Sequence, residues 1–255
     1  MKLLNLQKCG EKFNQKIINF YFNNIMKEHL EESTSKYKDP SNNEPFMDNH
    51  LFFPLSDLLV TPLRNTGLTP NGITLLSSIF QLYTIVLLSE GKVEFACISY
   101  FIGYLFDCID GNMARKFNMG SKYGMALDMV SDNVVNIILA FYIIYNKGIN
   151  VYIAGLLVAS YLLGVCTGIN EALSSYKTTK SDNFYAKKQK EFEHESYLIA
   201  DIYLLIIKNI YNNYKILFPT YDENLLNSRL YLLKEFGPGN FAIGMIAMLY
   251  FTWKY

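Results

Sequence analysis

The chain has 255 residues, of which 51% are hydrophobic, 15% aromatic and only 18% charged, with 23 basic residues balancing 23 acidic ones. That balance gives no support to nucleic-acid binding, and a slightly positive mean hydropathy with so few charges points to a chain divided into polar and apolar blocks. The opening MKLLNLQKCG lacks the apolar run of a secretory signal, and Cys9, Cys97, Cys108 and Cys166 form no C-x-x-C pair, so no cleaved leader, disulfide framework or zinc site is expected.

Residues 1–50 are polar. Phe13, Ile17, Tyr21 and Ile25 recur every four residues, the mark of an amphipathic helix, and a linker follows to about His50. In residues 51–68, Leu55, Leu59 and Leu63 share one face while Ser56, Asp57 and Arg64 are polar. The pattern fits a helix packed on the protein's own surface as well as one lying in a membrane interface, and the interfacial placement is our expectation.

From residue 69 to 255 the expectation is an all-α polytopic membrane domain. Six apolar segments near 70–89, 93–117, 121–146, 150–172, 196–218 and 237–254 each approach the ~20 residues that cross a bilayer. Thr69 can cap the first and Pro70 suits its first turn. Gly120 and Ser121 mark a stop and a new start between the second and third. Ser160, Gly164 and Gly168 form a small-residue ladder suited to helix packing or to a homodimer. Lysines and arginines cluster in the N-terminal region, between segments two and three (Arg115, Lys116, Lys122) and between four and five (Lys177, Lys180, Lys187, Lys188, Lys190). The positive-inside rule then places both termini in the cytoplasm.

The stretch FDCIDGNMARKFNMGSKYGMALDMVSDN holds four aspartates between apolar runs. At about 100° per residue, Asp107, Asp110, Gly111, Ala114 and Arg115 share a sector of roughly 140° on the second helix. Gly124, Asp128 and Asp132 form one stripe on the third. A short connection makes the two helices antiparallel neighbours, so the acidic stripes can face each other. Four close carboxylates repel unless a cation intervenes, and Mg²⁺ or Mn²⁺ prefers such hard oxygen ligands. Two ions would balance the four charges and suit phosphoryl transfer. Helix glue or an ion pathway would account for one or two such acids, and a transporter is the alternative of another class.

These residues resemble the signature of the CDP-alcohol phosphatidyltransferase family, D-x-x-D-G-x-x-A-R, seven or eight residues, then G-x-x-x-D-x-x-x-D. Here it stands as Asp107, Asp110, Gly111, Ala114, Arg115, eight residues, Gly124, Asp128 and Asp132. The resemblance implies an enzyme of phospholipid biosynthesis that displaces CMP from a CDP-linked alcohol by the hydroxyl of a second alcohol. It implies that Asp107, Asp110 and Asp128 hold one Mg²⁺ or Mn²⁺, and that Asp107, Asp128 and Asp132 hold the other. Asp132 would also be the base. Asn71, Thr74, Gly111, Ala114, Arg115, Ser121 and Gly124 would surround the CDP moiety. The L-D-M before the last aspartate looks like phosphatidylinositol synthases, although Asn133 stands where those usually carry arginine. CDP-diacylglycerol and inositol, or a similar small polar alcohol, are the expected substrates; CDP-choline or CDP-ethanolamine with diacylglycerol is the alternative. The same loop charges open the aspartate-bearing helix ends to the cytoplasm, in a eukaryote at the endoplasmic reticulum, and the family, often dimeric, tips the expectation toward a homodimer.

Overall fold

The computed structural model describes residues 44–147, 182–195, 197–217 and 234–254. These form seven α-helices. A π-helical turn, Asp48–Phe52, leads into α1 (Phe53–Asn65). Then come α2 (Pro70–Ser89), α3 (Val93–Lys116), α4 (Lys122–Lys147), α5 (Asp182–Glu191), α6 (Leu198–Leu217) and α7 (Pro238–Lys254). The expected helix at Phe13–Ile25, the fourth apolar segment and the small-residue ladder lie outside the described residues.

Helix ends follow local chemistry. Thr69 is extended, its Oγ1 accepts from the Gly72 amide at 3.2 Å, and Pro70 opens α2. α3 ends differently from the expected glycine stop. Asn118 takes the left-handed conformation (φ 52°), and the Met119 amide bonds back to the Ala114 carbonyl at 2.9 Å. Asparagine tolerates that region better than most side chains. Ser121 Oγ then accepts from the Gly124 amide at 2.9 Å, starting α4.

α3 is central, with α1, α2 and α7 packed on it; α4 packs on α2 and α6, and α5 on α6. α2 and α3 lie close because Gly103 has no side chain. A Cβ there would come 2.6 Å from Gln81 Cγ and 3.1 Å from two backbone atoms of α2. The seam is polar. Thr74, Ser77, Gln81 and Thr84, at i, i+3, i+7 and i+10, are buried. Ser99 Oγ donates to the Phe80 carbonyl at 2.7 Å, and Gln81 Nε2 to Ser77 Oγ at 3.1 Å. The other side of α2 exposes Leu75, Ile79, Leu82 and Val86. Polar residues inside and apolar ones outside reverse the pattern of a helix solvated by water, and they suit a helix surrounded by lipid. Among the described residues, Pro70–Ser89 and Lys122–Asn146 are long and apolar enough to cross a membrane.

The expected alternation of successive spans does not extend to α7. Its first turn meets Asp48, which also binds Tyr104 of α3. Further along, the Ile246 carbonyl lies beside Cys97 (3.6 Å), and Lys254 pairs with Glu94 at 3.1 Å. α7 is therefore antiparallel to α3 and starts at the end of the bundle that carries the aspartates. α6 starts at that end too, since Lys122 pairs with Glu195 and Tyr123 packs edge-on against Tyr197. Two successive alternating spans would start at opposite ends. The direction of α7 has a specific cause: Met47 N donates to Asn240 Oδ1 (3.0 Å) and Phe46 N to Glu235 Oε2 (3.1 Å), tying the start of α7 to the segment before α1.

Candidate active site

Asp107 and Asp110 project from α3, Asp128 and Asp132 from α4. Oxygens of Asp107, Asp110 and Asp128 all lie within 4.8 Å of one another. Asp132, one turn beyond Asp128 on α4, lies close enough to interact electrostatically with Asp107 and Asp128. Asp107 Oδ1 and Asp128 Oδ1 are buried without a hydrogen-bond partner. α3 and α4 approach each other less closely than either approaches α2, so the carboxylates meet across a gap between the two backbones.

Buried carboxylate oxygens without donors are costly, and neighbouring like charges add to the cost. The donor set suits a hard divalent cation: three oxygens converge, and two of the site's buried oxygens lack any other partner. Asp107, Asp110 and Asp128 can thus hold Mg²⁺ or Mn²⁺.

One acid is also held by a neutral donor. Thr74 Oγ1 donates to Asp110 Oδ2 at 2.6 Å, across the α2–α3 seam. Thr74 is buried against Asp110. Asn71, Ser121 and Gly124 come together where α2 and α4 begin. A Cβ on Gly124 would sit 2.7 Å from Asn71 Oδ1 and 3.0 Å from Ser121 Oγ. The Arg115 guanidinium folds over Gly111, where a Cβ would be 3.3 Å from Nη1. Ala114 is half-buried on the same helix. The two glycines therefore remove bulk beside a hydroxyl, an amide and a guanidinium, groups that can bind a nucleotide diphosphate.

Two groups of buried polar residues were not anticipated. Ser56 and Asp57, polar positions of α1 in the sequence, are buried against α3. There Asn112 Nδ2 donates to Asp57 Oδ1 at 2.7 Å and to Ser56 Oγ at 3.0 Å. Leu59 and Leu63 of α1 pack around Val60, Ile109 and Met113. Asp48, assigned to the polar N-terminal region, accepts from the Tyr104 hydroxyl (2.7 Å) and from the Gly239 amide (2.9 Å). The available signal was Tyr104 and Asn112 themselves, polar groups in an apolar helix that needed partners.

Comparison with known proteins agrees with the geometry. The sequence matches the CDP-alcohol phosphatidyltransferase family over residues 67–218. It is 33% identical over 92 residues to a phosphatidylinositol phosphate synthase of Mycobacterium marinum, covering 35% of this chain and 39% of that one. The Mycobacterium tuberculosis (strain H37Rv) protein of the same name is 32% identical over 92 residues, 35% of this chain and 42% of that one. A CDP-diacylglycerol–inositol 3-phosphatidyltransferase 1 of Arabidopsis thaliana is 26% identical over 164 residues, 62% and 68% of the two chains. The chain thus spans about two fifths of the bacterial relatives it matches. No solved structure matches.

Proposed function

Because the chain belongs to the CDP-alcohol phosphatidyltransferase family, we propose that it transfers a phosphatidyl group from CDP-diacylglycerol to a hydroxyl of inositol or a similar small polyol, releasing CMP. Four carboxylates converging from α3 and α4, two of their oxygens buried and unpartnered, carry this assignment. The inositol preference draws on relatives named for inositol lipids. Residues 69–255 form the membrane domain, with α1 at its edge. The aspartate end faces the cytoplasm, where Arg115, Lys116, Lys122 and now Lys234 gather.

The division of labour follows from the positions. Asp107, Asp110, Asp128 and Asp132 would hold two divalent ions, which would supply charge neutralisation for the diphosphate and the departing CMP. Thr74 fixes the orientation of Asp110. Asn71 and Ser121, packed closely on Gly124, receive the nucleotide end of the donor, while Arg115, lying over Gly111 and near Ala114, binds diphosphate oxygens. Asp132 takes the proton of the attacking hydroxyl. That oxygen bonds to the phosphorus bearing the diacylglycerol, the bond from this phosphorus to the CMP oxygen breaks, and CMP departs with the electron pair. Atoms balance as phosphatidyl alcohol, CMP and one proton.

Purified protein with CDP-diacylglycerol, Mn²⁺ and inositol should release CMP and form a phosphatidyl polyol, and chelation should stop it. Release of CMP from CDP-choline only, with diacylglycerol as acceptor, would shift the assignment to a choline-type phosphotransferase. No CMP from either donor would leave the transporter alternative.

A further inference from the structure

Resting on the proposed transfer reaction, we infer that Asn112, clasped by Asp57 and Ser56 of α1, is a positioning residue that sets the rotation of α3 and thereby the aim of its acids and of Arg115. Asn112 occupies a place that the family signature leaves open, directly after Gly111. It is only 3% exposed. Both hydrogens of its amide are used, one on Asp57 Oδ1 at 2.7 Å and one on Ser56 Oγ at 3.0 Å. Ser56 in turn donates to the Cys108 carbonyl at 3.2 Å, one turn back along α3. Because the carboxylate can only accept, it fixes which way the amide points.

The clasp stands in otherwise apolar packing of Val60 against Ile109 and Met113. An apolar residue at 112 would avoid leaving the buried Asn112 Oδ1 without a partner. Apolar contact, however, is non-directional and lets a helix roll about its axis. Two hydrogen bonds to a second helix do not. Rolling α3 by roughly 20° would move a side-chain oxygen about 6 Å from the axis by about 2 Å. A misplacement of about 1 Å can cost roughly a hundredfold in rate. Asp110, Gly111 and Arg115 lie within three residues of Asn112, so they move with it. α1 is then part of the site's frame although none of its residues is among the acids.

The test exchanges donor and acceptor. Asn112→Asp opposes two carboxylates, whereas Asp57→Asn combined with Asn112→Asp restores one donor facing one acceptor, with roles reversed. In N112D, Mn²⁺ affinity measured by electron paramagnetic resonance should fall about tenfold, and the KM for CDP-diacylglycerol should rise about tenfold. In the exchanged protein both should return to within about threefold of the parent. Asn112→Leu, which removes both donors without adding charge, should reproduce the loss if N112D does not fold. Folded N112D or N112L with parental Mn²⁺ affinity and KM would overturn the clasp. So would an exchanged protein that regains its thermal midpoint but neither of the other quantities. If the parent itself releases no CMP, the transfer assignment falls, and the Mn²⁺ measurements still decide the role of Asn112.

Discussion

A single hydroxyl determines how Asp110 is presented. Thr74→Val keeps the shape and removes the donor, leaving a buried carboxylate oxygen one partner short. Hydrogen bonds to charged groups contribute about 1.5–3 kcal/mol. Half-maximal Mn²⁺ in the CMP-release assay should therefore rise roughly tenfold, while Thr74→Ser should stay near the parent. Asp132→Asn should lower CMP release by about a hundredfold or more while the CDP donor still binds; near-parental rates would remove Asp132 from the role of base. Gly124→Ala should raise the donor KM without changing the thermal midpoint, because its Cβ would press only on the side chains of Asn71 and Ser121. The aspartates were legible in sequence because i+3 and i+4 spacing fixes a helical face without further information. The partner of Thr74 was not: Asp110 lies 36 residues away, and helix arithmetic says nothing about which face of α2 meets which face of α3.

Among the elements, α2 and α3 form the tightest pair, and Gly103 controls their separation. Gly103→Val would drive Cγ atoms into Gln81 and into the α2 backbone, which cannot move aside as a side-chain tip can. Overpacking of this kind costs about 1–3 kcal/mol. The variant should show a lower midpoint in detergent thermal unfolding; an unchanged midpoint would mean the seam is looser than described. The start of α2 was readable because Thr69 and Pro70 act locally. The inverted polarity of α2 could have been counted from Thr74, Ser77, Gln81 and Thr84, yet average hydropathy conceals it. α1 misled for a related reason. Ser56 and Asp57 look like a solvated face until Asn112, more than fifty residues away, supplies donors that make their burial tolerable.

At the scale of the molecule, the direction of the last helix is the feature composition could not supply. Loop charges suggested two termini on one side, but α7 runs from the aspartate end toward Glu94. In a background without native cysteines, Ser121→Cys and Lys254→Cys should therefore react with a membrane-impermeant maleimide from opposite sides of a sealed vesicle. Labelling of both from one side would reverse α7. The two candidate spans among the described residues, Pro70–Ser89 and Lys122–Asn146, were legible because lipid selects on length and polarity alone. The direction of each block depends on pairings such as Asp48 with Gly239, which no short window contains.

Asp48 and its partner amide are separated by 191 positions, and Met47 and Asn240 by 193. A nascent chain emerging from the ribosome therefore carries this acid, and the helix it leads into, long before the amide that receives it has been made. Until then, of the Asp48 bonds to Tyr104 and to Gly239, only the one to Tyr104 can form. The tie between the segment before α1 and the start of α7 can form only near the end of synthesis, so a product cut short before residue 238 would keep every aspartate of the site yet lack that strut.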